Sequence, residues 1–262
     1  MIQSDTDNLR YRIEAGVAYV TFDRPAKRNA FTGEMMRAGS RAIRDADGNE
    51  DVRAIIVTGA GEEAFCAGAD LAETIPRWTA DTSNVAPDDD DLHLRRELIR
   101  TPIIAAVNGD CLAGGMEFLQ ATDVRIAAES ARFGLTEPRW GVAPVSGSHV
   151  RLPRQIPYCR AMEFLLTGAT FPAEHAHGAG LVNEVVPDGQ ALARAKEVAD
   201  EIARNSPFAI RKIKETVLRC YDRPLDDAFR LESRIGEEVF ASDDALDGPR
   251  AFVEDREPSF RR

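Results

Sequence analysis

With 262 residues, 44% hydrophobic and 29% charged, the chain has the balance of a globular protein large enough to bury a sizeable core. Its net charge of −11 argues against a broad basic face, and so against nucleic acid or an anionic membrane as the main partner. An anionic small ligand would need local positive groups. The stretch Met1 to Arg10 lacks the apolar centre of a secretory signal, and no run long enough to span a bilayer occurs. Four scattered cysteines, Cys66, Cys111, Cys159 and Cys220, form no CxxC pair, so they are read as reduced, buried, structural thiols in a cytoplasmic protein.

The segment RYRIEAGVAYVTF alternates polar and apolar residues around Gly16, which predicts two short strands joined by a turn. In GEMMRAGSRAIRDADGNEDV, Met35, Met36, Ala42 and Ile43 fall near helical spacing, and Asp47-Gly48 supplies the stop. Ala54 to Thr58 reads as a buried strand ending in glycines. In FCAGADL, Phe65 to Leu71, small residues let the main chain approach a ligand or another segment. The acidic run Ala86 to Asp91 predicts a mobile surface loop leading into a helix that starts near Asp91. A second round follows: a strand at Ile103 to Val107, a glycine turn, a helix from about Gly114 to Ala121, and a strand at Val124 to Ala127. This repetition is the rhythm of an α/β protein. From Pro157 onward the pattern is mostly helical, with one strand at Leu181 to Val186. The helix carrying Ala228, Leu231, Ile235 and Phe240 is apolar on more than one side, as a subunit contact requires.

Two glycine-rich turns are candidates for chemistry. In LAGGMEF, a helix beginning near Gly114 leaves its first N–H groups unpaired, and an oxyanion hole forms if the Ala69 N–H converges on the same point. Glu117 follows three residues later on the same helical face, where it can move protons or simply cap the helix. Glu137, before Pro138 in a turn after a short strand, is either a second acid or a polar surface turn. His175 and His177, two apart in EHAH, point to different faces of a helix, unlike HExxH, and are read as helix surface. Ser146-Gly147-Ser148 with His149 lacks the G-x-S-x-G frame, so a serine hydrolase is not expected.

Together, DRPAKRNAF, AFCAGADL, AAVNGDCLAGGMEFLQATDVRIAAESARFGLTEPRWGVAP and LLTGATFPAEHAHGAGLVNEVVP resemble the enoyl-CoA hydratase/isomerase, or crotonase, superfamily, in order from about residue 10 to 260. The resemblance implies an α/β spiral of repeated β-β-α units over residues 1–200, holding the acyl-CoA site. A helical C-terminal trimerisation region over 201–262 would complete a homotrimer or homohexamer. It implies that the N–H groups of Ala69 and Gly114 grip the thioester oxygen of an acyl-CoA, and that Glu117 and Glu137 match the two acids of the family's hydratases. It assigns coenzyme A contacts to Arg24, Lys27, Arg28, Ala30, Ala67, Asp70 and Leu71. Neither a metal nor a cofactor is implied, the coenzyme A thioester being the substrate.

The implied reaction is syn addition of water across the 2,3 double bond of a 2-enoyl-CoA, giving a 3-hydroxyacyl-CoA. Glu117 would activate the water and Glu137 would act as the acid toward Cα. Double-bond isomerisation, dehydration of a hydroxyacyl-CoA of the carnitinyl-CoA kind, and non-catalytic acyl-CoA binding are the alternatives; the retained acid pair speaks against the last. In APVSGSHVRLP, Val145 and Ser146 stand where family hydratases usually carry glycines, a bulk expected to narrow the acyl pocket. The segment Pro76 to Leu92, which borders the acyl group in such enzymes, matches no one subfamily and leaves the acyl chain open.

Overall fold

Ala15 and Gly16 adopt φ of 49° and 77°, the two successive positive values that a tight hairpin turn needs. They join β1 (Leu9–Glu14) antiparallel to β2 (Val17–Phe22). The computed structural model describes residues 6–82 and 92–260, so the acidic Ala86 to Asp91 lies outside the described residues. Helix α1 (Gly33–Gly48) starts where the Thr32 hydroxyl accepts the Met35 N–H at 3.2 Å.

The chain then passes repeatedly between two sheets. β3 (Ala54–Gly59) lies in the larger sheet and β4 (Ala64–Cys66) in the smaller, followed by α2 (Thr74–Ala80). β5 (Ile103–Val107), β6 (Asp110–Leu112) and α3 (Gly114–Leu119) repeat the step, and β7 (Val124–Ala128) with β8 (Arg132–Gly134) begins it again. β9 (Phe171–Pro172) closes the smaller sheet in the order β4-β6-β8-β9. β10 (Glu184–Val186) completes the larger one, ordered β1-β2-β3-β5-β7-β10 and parallel except for the first hairpin. This is the β-β-α spiral that the family resemblance implies.

Strands covered on both faces explain the unbroken apolar runs. Ile55, Val57, Ile103 and Ala105 point into the main core, packed around Phe22, Phe31, Phe65 and Phe118. Their neighbours Ala54, Ile56, Ile104 and Ala106 point the other way, against Ala191, Ala195 and Ala199. Those three alanines, four apart, form one face of a helix and allow it to lie close on the sheet.

The remaining helices are α4 (Ser148–Gln155), α5 (Tyr158–Thr167), α6 (Ala173–Gly178), α7 (Ala191–Ala203), α8 (Pro207–Cys220), α9 (Leu225–Phe240) and α10 (Asp243–Val253). Position 200 falls inside α7, the helix that covers the sheet, while α8 and α9 pack on each other. Among the described residues, no helix is long and apolar enough to cross a membrane.

Four expectations are corrected. Leu92 to Arg100 is not helical: Leu94 has φ 51°, and the Arg151 guanidinium takes the carbonyls of His93 and Leu94 at 2.6 and 2.5 Å, oxygens a helix would use internally. The last strand is shorter than Leu181 to Val186, because the Leu181 N–H donates to Ala176 O and closes α6 instead. Cys66 and Cys111 are buried, but Cys159 is exposed and Cys220 half-buried. His177 is exposed as read, whereas His175 is half-buried, stacked on Phe171 and 3.4 Å from Glu163.

Candidate active site

The turn after β4 and the start of α3 are packed so closely that side chains are excluded between them. Gly68 has φ 99°, and a Cβ there would lie 2.6 Å from the Ala113 Cβ; one at Gly115 would lie 2.4 Å from Cys66 O. Ala113 itself is held at φ 49° and ψ −126°, an unfavourable conformation for a residue with a side chain, and its N–H is anchored to Gly134 O at 2.8 Å. The strain sits where the chain must turn from β6 into α3.

Phe31 forms a parallel bridge with Ala69, donating to Gly68 O and accepting from the Asp70 N–H. In that pattern the Ala69 N–H is left out of the bridge and points away from Phe31. A Cβ built at Gly114 would stand 3.6 Å from Ala69 N, so the two turns place their main chains side by side. Ala69 and Gly114 both line a cavity of about 570 Å³.

Glu117 and Glu137 line the same cavity. Glu117, one turn into α3, is buried, and its Oε1 accepts the N–H of Ser146 at 2.7 Å and of Ser148 at 3.4 Å. Burial raises its pKa to about 7, opposed by those serine contacts, which favour the charged form. Glu137 opens a single 3-10 turn, Glu137–Trp140, after β8. Its Oε2 is buried without a hydrogen-bond partner among the described residues. Burial first, then the charge of Glu117, raise its pKa to about 8. Two acids on the wall of one mostly apolar cavity cannot both ionise freely, and the donors at Glu117 make it the first to lose its proton.

The residues expected at coenzyme A divide by geometry. Ala67 and Leu71 line the cavity, as does Arg28, which is exposed and paired with Asp110 at 2.5 Å. Lys27 is exposed, with no ion pair among the described residues. The Arg24 guanidinium is engaged within the chain, donating to Ala30 O at 2.8 Å and to Asp70 at 3.1 Å. The Ala72 N–H and Arg24 together hold the Asp70 carboxyl below its ordinary range. Val145 and Ser146 both line the cavity, and Ser146 also places its main-chain N–H on Glu117.

Residues 12–262 match the family described as enoyl-CoA hydratase/isomerase. The chain belongs to the enoyl-CoA hydratase/isomerase family. It is 45% identical over 245 residues to the Mycobacterium tuberculosis enoyl-CoA hydratase EchA19, covering 92% of each protein. Over 252 residues it is 34% identical to the short-chain-enoyl-CoA hydratase of Clostridium acetobutylicum, covering 96% of this chain and 97% of that one. Among solved structures, an enoyl-CoA hydratase from Bacillus anthracis superposes with a TM-score of 0.89 at 34% identity, covering 97% of this chain and 99% of that one. The enoyl-CoA hydratase of Mycobacterium tuberculosis H37Rv gives 0.88 at 33%, covering 98% and 99%. The two-sheet spiral is thus the crotonase fold.

In this enoyl-CoA hydratase/isomerase family member, three polar residues near the acids carry no motif that sequence reading could use. His93 is buried, lines the cavity, and has Nε2 3.1 Å from Gly114 O. Ser148 and Gln120 are buried behind Glu117 and bonded to each other at 2.8 Å. Their one outward signal was position: Ser148 begins α4 just after Gly147, and Gln120 follows Glu117 by three residues.

Proposed function

We propose that the protein is an enoyl-CoA hydratase, adding water across the 2,3 double bond of a 2-enoyl-CoA thioester to give the 3-hydroxyacyl-CoA. The observation that carries this reading is the pair of glutamates on the wall of a cavity shared with Ala69 and Gly114, Glu117 buried and Glu137 half-buried with one carboxylate oxygen enclosed, both with raised pKa. The names of the relatives agree with it. The acyl thioester lies with its carbonyl oxygen on the N–H groups of Ala69 and Gly114. Glu117, ionised and held by Ser146, takes a proton from water as the water oxygen bonds to Cβ. The π electrons move onto the thioester oxygen, where fixed N–H donors stabilise the enolate without reorganising. Glu137, the group that holds its proton to higher pH, delivers it to Cα as the carbonyl re-forms. Both additions come from the side of the acids, which makes the addition syn.

Lys27 and Arg28 supply positive charge for the coenzyme A phosphates beside Ala67 and Leu71. Apolar side chains left exposed on α8, α9 and α10 support assembly as a homotrimer or homohexamer. Unpaired thiols, one of them exposed, fit a cytoplasmic location.

The test is an absorbance assay of purified protein against 2-enoyl-CoA thioesters of graded chain length, with product masses measured. Loss of the conjugated double bond with gain of one water is expected. Glu117→Gln and Glu137→Gln should each lower turnover by about 10²-fold or more while acyl-CoA still binds. The double variant should lose less than the product of the two, since the acids hold one water as a unit. Migration of the double bond without gain of water would replace this reading with an isomerase.

A further inference from the structure

Gln120 caps the C-terminal end of α3 three residues beyond Glu117, buried and outside the wall of the cavity that holds the two acids. Its Nε2 donates to Met116 O at 3.1 Å and to Ser148 Oγ at 2.8 Å. The Met116 carbonyl can only accept, which fixes the amide with its nitrogen on that side, so Ser148 Oγ accepts a hydrogen bond from the Gln120 N–H. The serine keeps its own proton to give elsewhere. Its N–H already reaches Glu117 Oε1 at 3.4 Å, and its side chain favours the charged form of that carboxylate. The amide is also a costly occupant of this place: Gln120 Oε1 is buried without a partner among the described residues, a penalty that an apolar side chain of the same shape would avoid. Stability alone therefore does not account for a glutamine here.

We infer that Gln120 and Ser148 are positioning residues for hydration: Gln120 occupies the acceptor side of the Ser148 hydroxyl, which turns the serine proton onto Glu117 and holds that carboxylate as an oriented base. The inference rests on the reading of Glu117 as the group that activates water. A donor to the charged form offsets the burial that drives this carboxyl toward neutrality. Removing the hydroxyl, or the amide that aligns it, should raise the pH at which Glu117 ionises. The other charged or titratable groups around Glu117 are Glu137, His93 and Arg28 on the cavity wall, and Arg125, whose guanidinium donates to Gln120 O behind α3. None of them is altered by the variants below, and neither are the N–H donors of Ser146 and Ser148.

The experiment compares wild type with Ser148→Ala, the shape-matched Gln120→Met, and the double variant. Glu117 is titrated without turnover by infrared difference spectroscopy of the carboxylate band, assigned by its loss in Glu117→Gln, and the acidic limb of kcat/KM is followed with crotonyl-CoA. Each single variant should move the Glu117 midpoint, and the acidic limb with it, upward by about half a pH unit or more. The double variant should move it no further than Ser148→Ala, because Gln120 acts through the serine. An unmoved midpoint in folded Gln120→Met, even with lowered thermal stability or uniformly lowered rate, overturns the inference. So does a double shift equal to the sum of the singles. Wild type that hydrates no enoyl-CoA would overturn the functional reading instead, and the infrared titration would still decide whether the pair acts on Glu117.

Discussion

Glu117 and Glu137 ionise in a pocket where burial opposes both charges, and the cost of that opposition is carried by the fold. Their folded values, about 7 and about 8, lie above the ordinary unfolded value. A raised folded value means stability fully present below the unfolded pKa and lost as pH rises through the folded one. Glu137→Gln, neutral at every pH, should therefore gain melting temperature over wild type as the buffer goes from pH 5 to pH 9, read by calorimetry. A gap that narrows over that range would show that the acid is not destabilised in the fold. The basic residues near the cavity separate in the same way. Lys27→Glu should weaken coenzyme A ester binding by calorimetry at low salt and leave the melting temperature unchanged, because its side chain is exposed. Arg24→Glu should instead lower the melting temperature, since it removes the tie between Ala30 O and Asp70 and sets two carboxylates together.

At the scale of elements, the site exists because two strand-to-helix turns touch without intervening side chains. Gly115→Ala would drive a Cβ onto Cys66 O at 2.4 Å, where main chain rather than a flexible side chain must yield. A loss of about 1–3 kcal/mol in urea unfolding is expected, with turnover falling further than stability because the Ala69 and Gly114 donors separate. Gly48, at the end of α1, has nothing within 4 Å of its missing Cβ and no positive φ. Gly48→Ala should be neutral or stabilising by up to about 1 kcal/mol in the same assay. The glycines of FCAGADL and LAGGMEF announced close main-chain approach in the sequence. What they approached was invisible there, because the contact joins residues 66 and 115 through packing rather than spacing.

For the whole molecule, the outer faces of α8, α9 and α10 leave Val217, Phe229, Phe240 and Phe252 exposed at 56%, 56%, 83% and 87%. A chain with net charge −11 still repels its copies at long range, so association must come from such apolar contact. Wild type should scatter light as a trimer or hexamer of the 28.8 kDa chain, and Val217→Asp combined with Phe229→Asp should shift it toward the monomer. Wild-type mass at 28.8 kDa in micromolar solution would remove the assembly reading.

Local order was legible in the chain wherever periodicity and turn chemistry coincide. The hairpin at Gly16, the buried strands at Ile55 and Ile104, the helix after Gly114 and the repeated unit follow from patterns within a dozen residues of each other. Glu117 was legible as a candidate by its offset from Gly114, and Glu137 gained weight only beside family motifs. Tertiary structure alone decided the rest. The helix expected near Asp91 gave way after Leu92 because Arg151, distant in the chain, claims two carbonyls there. Arg24 turned inward to Asp70, and Ser146, on the cavity wall, also gave Glu117 its main-chain N–H. Gln120 and Ser148 meet behind the base across 28 residues. A hydrogen bond depends on distances of a few tenths of an ångström, and a linear pattern sets which elements form but not which atoms they finally bring together.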